Sequence, residues 1–131
     1  MTTDARAFGT TDVDASRGRL ATIGLWVLQV AAAAMFLMAG TMKLFGNQEM
    51  VQMFGTIGIG QWFRYVTGAI EVVGAVLLLV PGLAAFGALA LAATMVGAII
   101  THLFVIGGNP TVPIVLLAMT STIGWARWRS R

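Results

Sequence analysis

The sequence predicts an all-α membrane protein: an antiparallel bundle of four transmembrane helices, with a short interfacial helix between spans one and two. Three observations predict it. Of 131 residues, 58% are hydrophobic and only 10% charged, whereas a soluble domain carries about 25% charged residues. With a mean hydropathy of +0.87, most of the chain needs lipid as its solvent. The apolar residues gather into four stretches divided by turn signals. Arginines flank the first and last of these stretches, where they act as topology signals.

Residues 1–19 form a polar tail rich in Thr, Asp and Arg, with Phe8 and Val13 as its bulky apolar side chains. Such a segment buries too little surface to offset its ordering entropy, so it is expected to be a disordered cytoplasmic tail. The transmembrane domain is expected over 20–128. Span one, 20–45, follows Arg17 and Arg19. Its apolar run exceeds the usual signal-peptide core, so it reads as a retained span. The stretch 47–60 is too short and too polar to cross. Met50, Met53, Phe54 and Ile57 share one helical face, Asn47 suits the N-cap, and Glu49 suits the positive helix start. A short helix lying in the membrane interface is expected there; an irregular loop is the alternative.

Span two, 61–80, ends at Pro81 and Gly82, a tight-turn signal. Span three, 83–106, carries Ala84, Ala88 and Ala92 as a small-residue stripe that permits close helix approach. Gly107, Gly108, Asn109 and Pro110 make the next turn, and span four covers 111–126. An even number of spans puts both termini on one side. Arg6, Arg17 and Arg19 at one end, and Arg127, Arg129 and Arg131 at the other, make that side cytoplasmic. Trp26, Trp62, Trp125 and Trp128 fall near span ends, as an aromatic belt requires. The expected location is the bacterial plasma (inner) membrane, crossed several times.

Chain direction then assigns depth. Lys43 lies near the outer end of span one and Arg64 near the outer start of span two. Glu71 lies roughly 10 Å deeper at 1.5 Å per residue. His102 lies in the last turns of span three. Every ionisable residue within the spans therefore falls in the outer half. On span two, Arg64, Thr67, Gly68, Glu71, Gly74, Ala75 and Leu78 form one stripe at spacings of three and four, which should face the other helices.

A carboxylate inside a span costs roughly 2.5–3.5 kcal/mol or more unless partnered. Lys43 is the expected partner of Glu71. Arg64 is the second candidate, although its long side chain can instead reach toward headgroups. Such a pair can be a structural lock on helix register or a proton-handling or ligand-anchoring site; both readings stand. His102 reads first as a hydrogen-bonded packing residue and second as a proton carrier or axial haem ligand. Met35, Met38 and Met42 share a face of span one and read as core filler. Gln29, Thr41, Thr67, Thr101 and Thr120 read as interhelical glue, worth about 0.6 kcal/mol each. With no cysteine, thiolate metal sites and disulfide relays are excluded. No metal site is expected, and the net charge of +3 reflects flanking arginines, not a nucleic-acid surface.

The assembled residues resemble the DoxX-like family of small four-span bacterial membrane proteins. The likeness rests on the run Ala39, Gly40, Thr41, Met42, Lys43, Leu44, Phe45 and on the connector from Met53, Phe54, Gly55 to Gly60. It rests also on Thr67, Gly68, Ala69, Ile70, Glu71, Val72, Val73, Gly74, on the Leu-rich run to Pro81 and Gly82, and on Trp125, Ala126, Arg127. It covers 23–127, and Gly40, Lys43, Gly68, Glu71 and Gly74 match the pattern residue by residue. Some branches place an arginine early in span one, where this chain has Trp26 and Gln29. The resemblance implies an accessory or quinone-interacting subunit of a membrane redox assembly, since relatives include a subunit associated with thiosulfate:quinone oxidoreductase. Quinone is the implied ligand, and a membrane or redox protein the implied partner.

Two other readings follow from the residues. The chain could be a membrane scaffold or assembly factor whose Lys43–Glu71 pair is structural and whose small stripes meet a partner or a second copy. A small transporter is the weakest reading, since no broken helix or second repeat is evident.

Overall fold

A computed structural model describes residues 2–129, with side chains described from Ser16 onward. The described chain is entirely helical: α1 (Thr2–Phe45), α2 (Gln48–Ile57), α3 (Trp62–Leu78), α4 (Ala84–Thr101), a π-helical turn (His102–Ile106) and α5 (Thr111–Arg129). Arg131 lies outside the described residues, and the side chains of Arg6, Phe8 and Val13 are not among those described. Helix α1 reaches back to Thr2, through the segment expected to be a disordered tail. No proline interrupts 1–45, so nothing local stops a helix that is anchored further along.

The boundaries follow turn chemistry. The Asn47 side chain accepts from the Glu49 N–H at 3.0 Å, and Gly58, at φ 87°, closes α2 in the left-handed conformation with its N–H on the Phe54 carbonyl. A helix is therefore present where the sequence left a loop as the alternative. Replacing Asn47 by alanine removes that cap and should destabilise α2 by about 1 kcal/mol, read as faster amide exchange over Gln48–Ile57. At the far end Asn109 accepts from the Thr111 N–H at 3.0 Å. Pro113 is buried in the first turn of α5, where a missing N–H does no harm.

Helix α1 packs on α3, α3 on α4, α4 on α5, and α5 returns to α1, so that α1 and α4 face each other across a ring. Neighbours run antiparallel. Gly40 of α1 meets Gly68 of α3, while Gln29, earlier in α1, meets Leu78, later in α3. Ala32, Ala33, Phe36, Ala75, Leu78, Ala88, Leu91, Met95, Leu116 and Ile123 fill the centre. Two helical segments, Ser16–Phe45 and Ala84–Ile106, are long and apolar enough to cross a membrane. The outside is apolar as well, with Val27, Val73, Leu89, Phe104 and Val112 all exposed.

The stripe expected on span two is the buried face of α3: Arg64, Gly68, Glu71, Gly74, Ala75 and Leu78 are its buried residues, with Thr67 half-buried beside them. The Ala stripe on α4 is used within the chain. Ala84 and Ala88 are buried and Ala92 half-buried, and Ala88 faces Gly124 of α5. That leaves Ala84 and Ala88 covered, not free for a second copy. The methionines depart from expectation. Met35 and Met38 are exposed and Met42 half-buried, because the interior face of α1 is taken by Gln29, Ala32, Ala33, Phe36 and Gly40, and the methionine face is rotated away from it.

Candidate functional site

The level of the site is set where α1 and α3 come closest. A Cβ on Gly40 would lie 2.9 Å from the Gly68 carbonyl oxygen and 2.8 Å from a Val72 methyl. A Cβ on Gly68 would lie 3.0 Å from the Gly40 carbonyl oxygen. Only glycine at both positions lets the backbones touch, and one turn from this contact the helices carry their charges. Lys43 Nζ stands 3.0 Å from Glu71 Oε1 and 3.2 Å from Oε2. Glu71 is 1% exposed and Lys43 12%. Of the two cations considered for Glu71, lysine is the partner.

Arg64 is also buried, at 5% exposure, and does not reach outward to headgroups as the sequence allowed. Its Nη1 donates to the Lys43 backbone carbonyl and its Nε donates to Gln61 Oε1 at 2.8 Å. The Gln61 amide in turn donates to the Val51 carbonyl of α2 at 3.1 Å. The reason is positional. The last carbonyls of α1 have no partner within their own helix and carry its negative dipole end. The 3.6-residue period turns Arg64 toward α1 together with Gly68 and Glu71. Arg64 therefore caps α1, holds the carbonyl of the residue that pairs with Glu71, and ties α2 to both. Its guanidinium lies beside Gly46 and over the Tyr65 ring, 4.3 Å from the centroid.

His102 stays apart from this pair. It is half-buried at the start of the π-helical turn, and its Nδ1 contacts the Ala98 carbonyl oxygen of its own helix at 2.8 Å. A carbonyl only accepts, so Nδ1 carries the proton in the neutral ring and Nε2 is left as the acceptor. The turn packs against α2. Among the described residues no hydrogen bond or ion pair links His102 to Lys43 or Glu71.

A second polar cluster lies near the middle of α1; the sequence reading named Gln29 as interhelical glue but missed its arginine partner. Gln29 is fully buried; its Nε2 donates to the Leu78 carbonyl at 2.6 Å, and its Oε1 accepts from Arg127 Nε at 2.6 Å. Arg127, expected to be a flanking topology charge, is instead half-buried and stacked over Trp26, 5.2 Å from the ring centroid. One signal was available: Gln29 carries the one amide side chain in span one. Another omission is Gly87, whose added Cβ would lie 2.8 Å from the Gly74 carbonyl oxygen. It marks the close approach of α3 and α4, as Gly40 and Gly68 do for α1 and α3.

Chemically, the first cluster offers a buried carboxylate held by one ammonium, with a rigid cap above it. Lys43 has three N–H groups and directs up to two at Glu71, which leaves one for a further acceptor.

Comparison with known proteins bears on the same residues. The model of the DoxX-like family matches residues 27–123, a stretch that includes Lys43, Arg64, Glu71 and His102 and stops short of Arg127. A relative from Bacillus subtilis (strain 168), named "Putative oxidoreductase CatD", is 35% identical over 79 residues, covering 60% of this chain and 59% of the relative. No solved structure matches the chain.

Proposed function

The chain belongs to the DoxX-like family of membrane proteins, and on that premise we propose that it is an accessory, quinone-interacting subunit of a membrane redox assembly. In this reading α1, α3, α4 with its π-helical turn, and α5 cross the bacterial plasma (inner) membrane as four antiparallel spans. Both termini are cytoplasmic, and α2 lies in the outer interface. The exposed apolar exterior, the arginines at the ends of α1 and α5, and the exposed Trp62, Trp125 and Trp128 support that placement. The CatD relative's name supports a redox setting.

The observation that carries the ligand reading is the Lys43–Glu71 pair itself, a nearly dry carboxylate beside an ammonium with an N–H to give. A quinone, when bound, supplies the electron-carrying head and the carbonyl oxygens. Lys43 orients such a carbonyl, Glu71 holds or passes a proton beside it, and Arg64 fixes the end of α1 so that Lys43 keeps its position. Partners are a membrane or redox protein, and a second copy of this chain is also compatible.

The second reading, a scaffold whose ion pair only locks helix register, draws on the same geometry, because Arg64, Gln61 and the Val51 carbonyl form a complete structural network without any ligand. One variant separates the two. Lys43→Met combined with Glu71→Leu keeps the packing and removes the chemistry. For the proposed function, the wild-type protein extracted in mild detergent copurifies with quinone, and the double variant loses it at unchanged abundance. If no quinone copurifies with the wild-type protein and host electron transfer is unchanged in the double variant, the scaffold reading replaces it.

A further inference from the structure

The Arg127 guanidinium is held in place by two neighbours yet incompletely satisfied. Its Nε is bonded to Gln29, Gln29 is locked in turn to the Leu78 carbonyl, and Trp26 lies against its face. This arginine is oriented and not free to swing outward. Its Nη2, however, is buried without a hydrogen-bond partner among the described residues. A buried charged donor left unmatched is costly, and an amide such as Gln29 supplies an acceptor but no counter-charge. Among the described side chains the carboxylates are Glu49 and Glu71. Glu71 pairs with Lys43, roughly 20 Å further along α1 at its rise per residue; Glu49 begins α2, beyond that end.

Arg127 also forms one wall of a cleft of about 440 Å³ between the middle of α1 and the last turns of α5. The other walls are mainly apolar: Ala21, Gly24, Leu25, Leu28 and Ala126. The hydroxyls of Thr22 and Thr122, which also line it, donate to the Gly18 and Ala118 carbonyls of their own helices at 2.8 Å. Among its described lining residues the cleft thus offers one oriented cation, no anion and a greasy floor, beside the exposed Trp125 and Trp128. A small hydrated ion gains little from such walls; an amphiphile with an anionic head and a hydrocarbon tail satisfies both parts.

We propose that this cleft binds an anionic phospholipid, with Arg127 on the phosphate and the α1–α5 groove against the upper acyl chains. The site shares the membrane setting of the proposed function but lies roughly 20 Å or more from Lys43 along α1. Its failure therefore leaves the quinone reading standing, and the reverse holds too.

The test is native mass spectrometry of the full chain in detergent, titrated with phosphatidylglycerol, phosphatidylcholine or inorganic phosphate. The wild-type protein should retain one phosphatidylglycerol in preference to phosphatidylcholine. Arg127→Gln should lower that retention about tenfold, the worth of one charge-assisted hydrogen bond. Gly24→Leu is the second variant: Gly24 lines the cleft and a Cβ there meets nothing within 4 Å, so the first added atom meets no clash and the bulk is added at the cleft wall. It should lower retention at least as far, at normal folding. Equal retention of the two lipids, retention unaffected in Gly24→Leu, or millimolar inorganic phosphate displacing phosphatidylglycerol would each overturn the proposal.

Discussion

Replacing Glu71 by alanine should destabilise the protein by about 3–5 kcal/mol, because it leaves the Lys43 ammonium buried without its counter-charge. Lys43 is 12% exposed and its nearest anion is the carboxylate being removed. Arg64 cannot compensate, since it is a cation engaged with the Lys43 carbonyl and Gln61. The mirror variant, Lys43→Ala, strands Glu71 in the same way and should cost a similar amount. By contrast, the Lys43→Met, Glu71→Leu double variant should lie within about 1–2 kcal/mol of the wild type, as apolar replacement of a buried pair is often neutral or better. Equilibrium unfolding in mixed micelles measures all three. If the single variants unfold at the wild-type midpoint, the pair is not buried as described. The charge-swapped double variant, Lys43→Glu with Glu71→Lys, adds a functional readout. Recovery of both stability and host activity marks a lock on register; recovery of stability alone marks chemistry that depends on which helix carries the carboxylate.

The second large effect is steric. Gly40→Val should cost at least the roughly 1–3 kcal/mol of an overpacked core. The first added atom already falls 2.9 Å from the Gly68 carbonyl oxygen and 3.1 Å from the Val72 nitrogen. A flexible side chain can turn aside, but a helix backbone cannot, so α1 and α3 must separate. The separation acts one turn away on the 3.0 Å contact between Lys43 and Glu71, so quinone retention should fall together with stability. Gly24→Ala is the control on the same helix. Nothing lies within 4 Å of its new Cβ, and the change should be neutral or stabilising by up to about 1 kcal/mol from helix propensity. Equal losses for Gly40→Val and Gly24→Ala would mean that close approach is not what Gly40 provides.

The two predictions separate what a linear reading can reach from what it cannot. The buried face of α3 was legible residue by residue, since Arg64, Gly68, Glu71, Gly74, Ala75 and Leu78 recur at helical spacing and mix charge with small size in a way lipid would penalise. The cap at Asn47 and the release at Gly58 were legible because N-caps and left-handed glycines act within a few residues. The choice of lysine for Glu71 followed from chain direction. The rotation of each helix about its axis did not. On α1 the methionine face and the Gln29–Phe36 face are both apolar enough to be interior, and the former lies outside. Arg127 was read as a flanking charge, and Arg64 as able either to pair with Glu71 or to reach toward headgroups, because position along a span gives a level but no bearing.

By itself the sequence determined the all-helical class, the turns that divide the helices, the buried face of α3 and the level at which Lys43 and Glu71 meet. These depend on period, caps and chain direction, which act over a few residues or follow from connectivity. Only the tertiary structure decided that Arg64 caps α1, that Arg127 turns inward to Gln29 with one nitrogen unmatched, and that His102 bonds its own helix. Those outcomes depend on contacts between residues as far apart as Gln29 and Arg127. The rotation of each helix is set by where backbone meets backbone, at Gly40 with Gly68 and at Gly74 with Gly87.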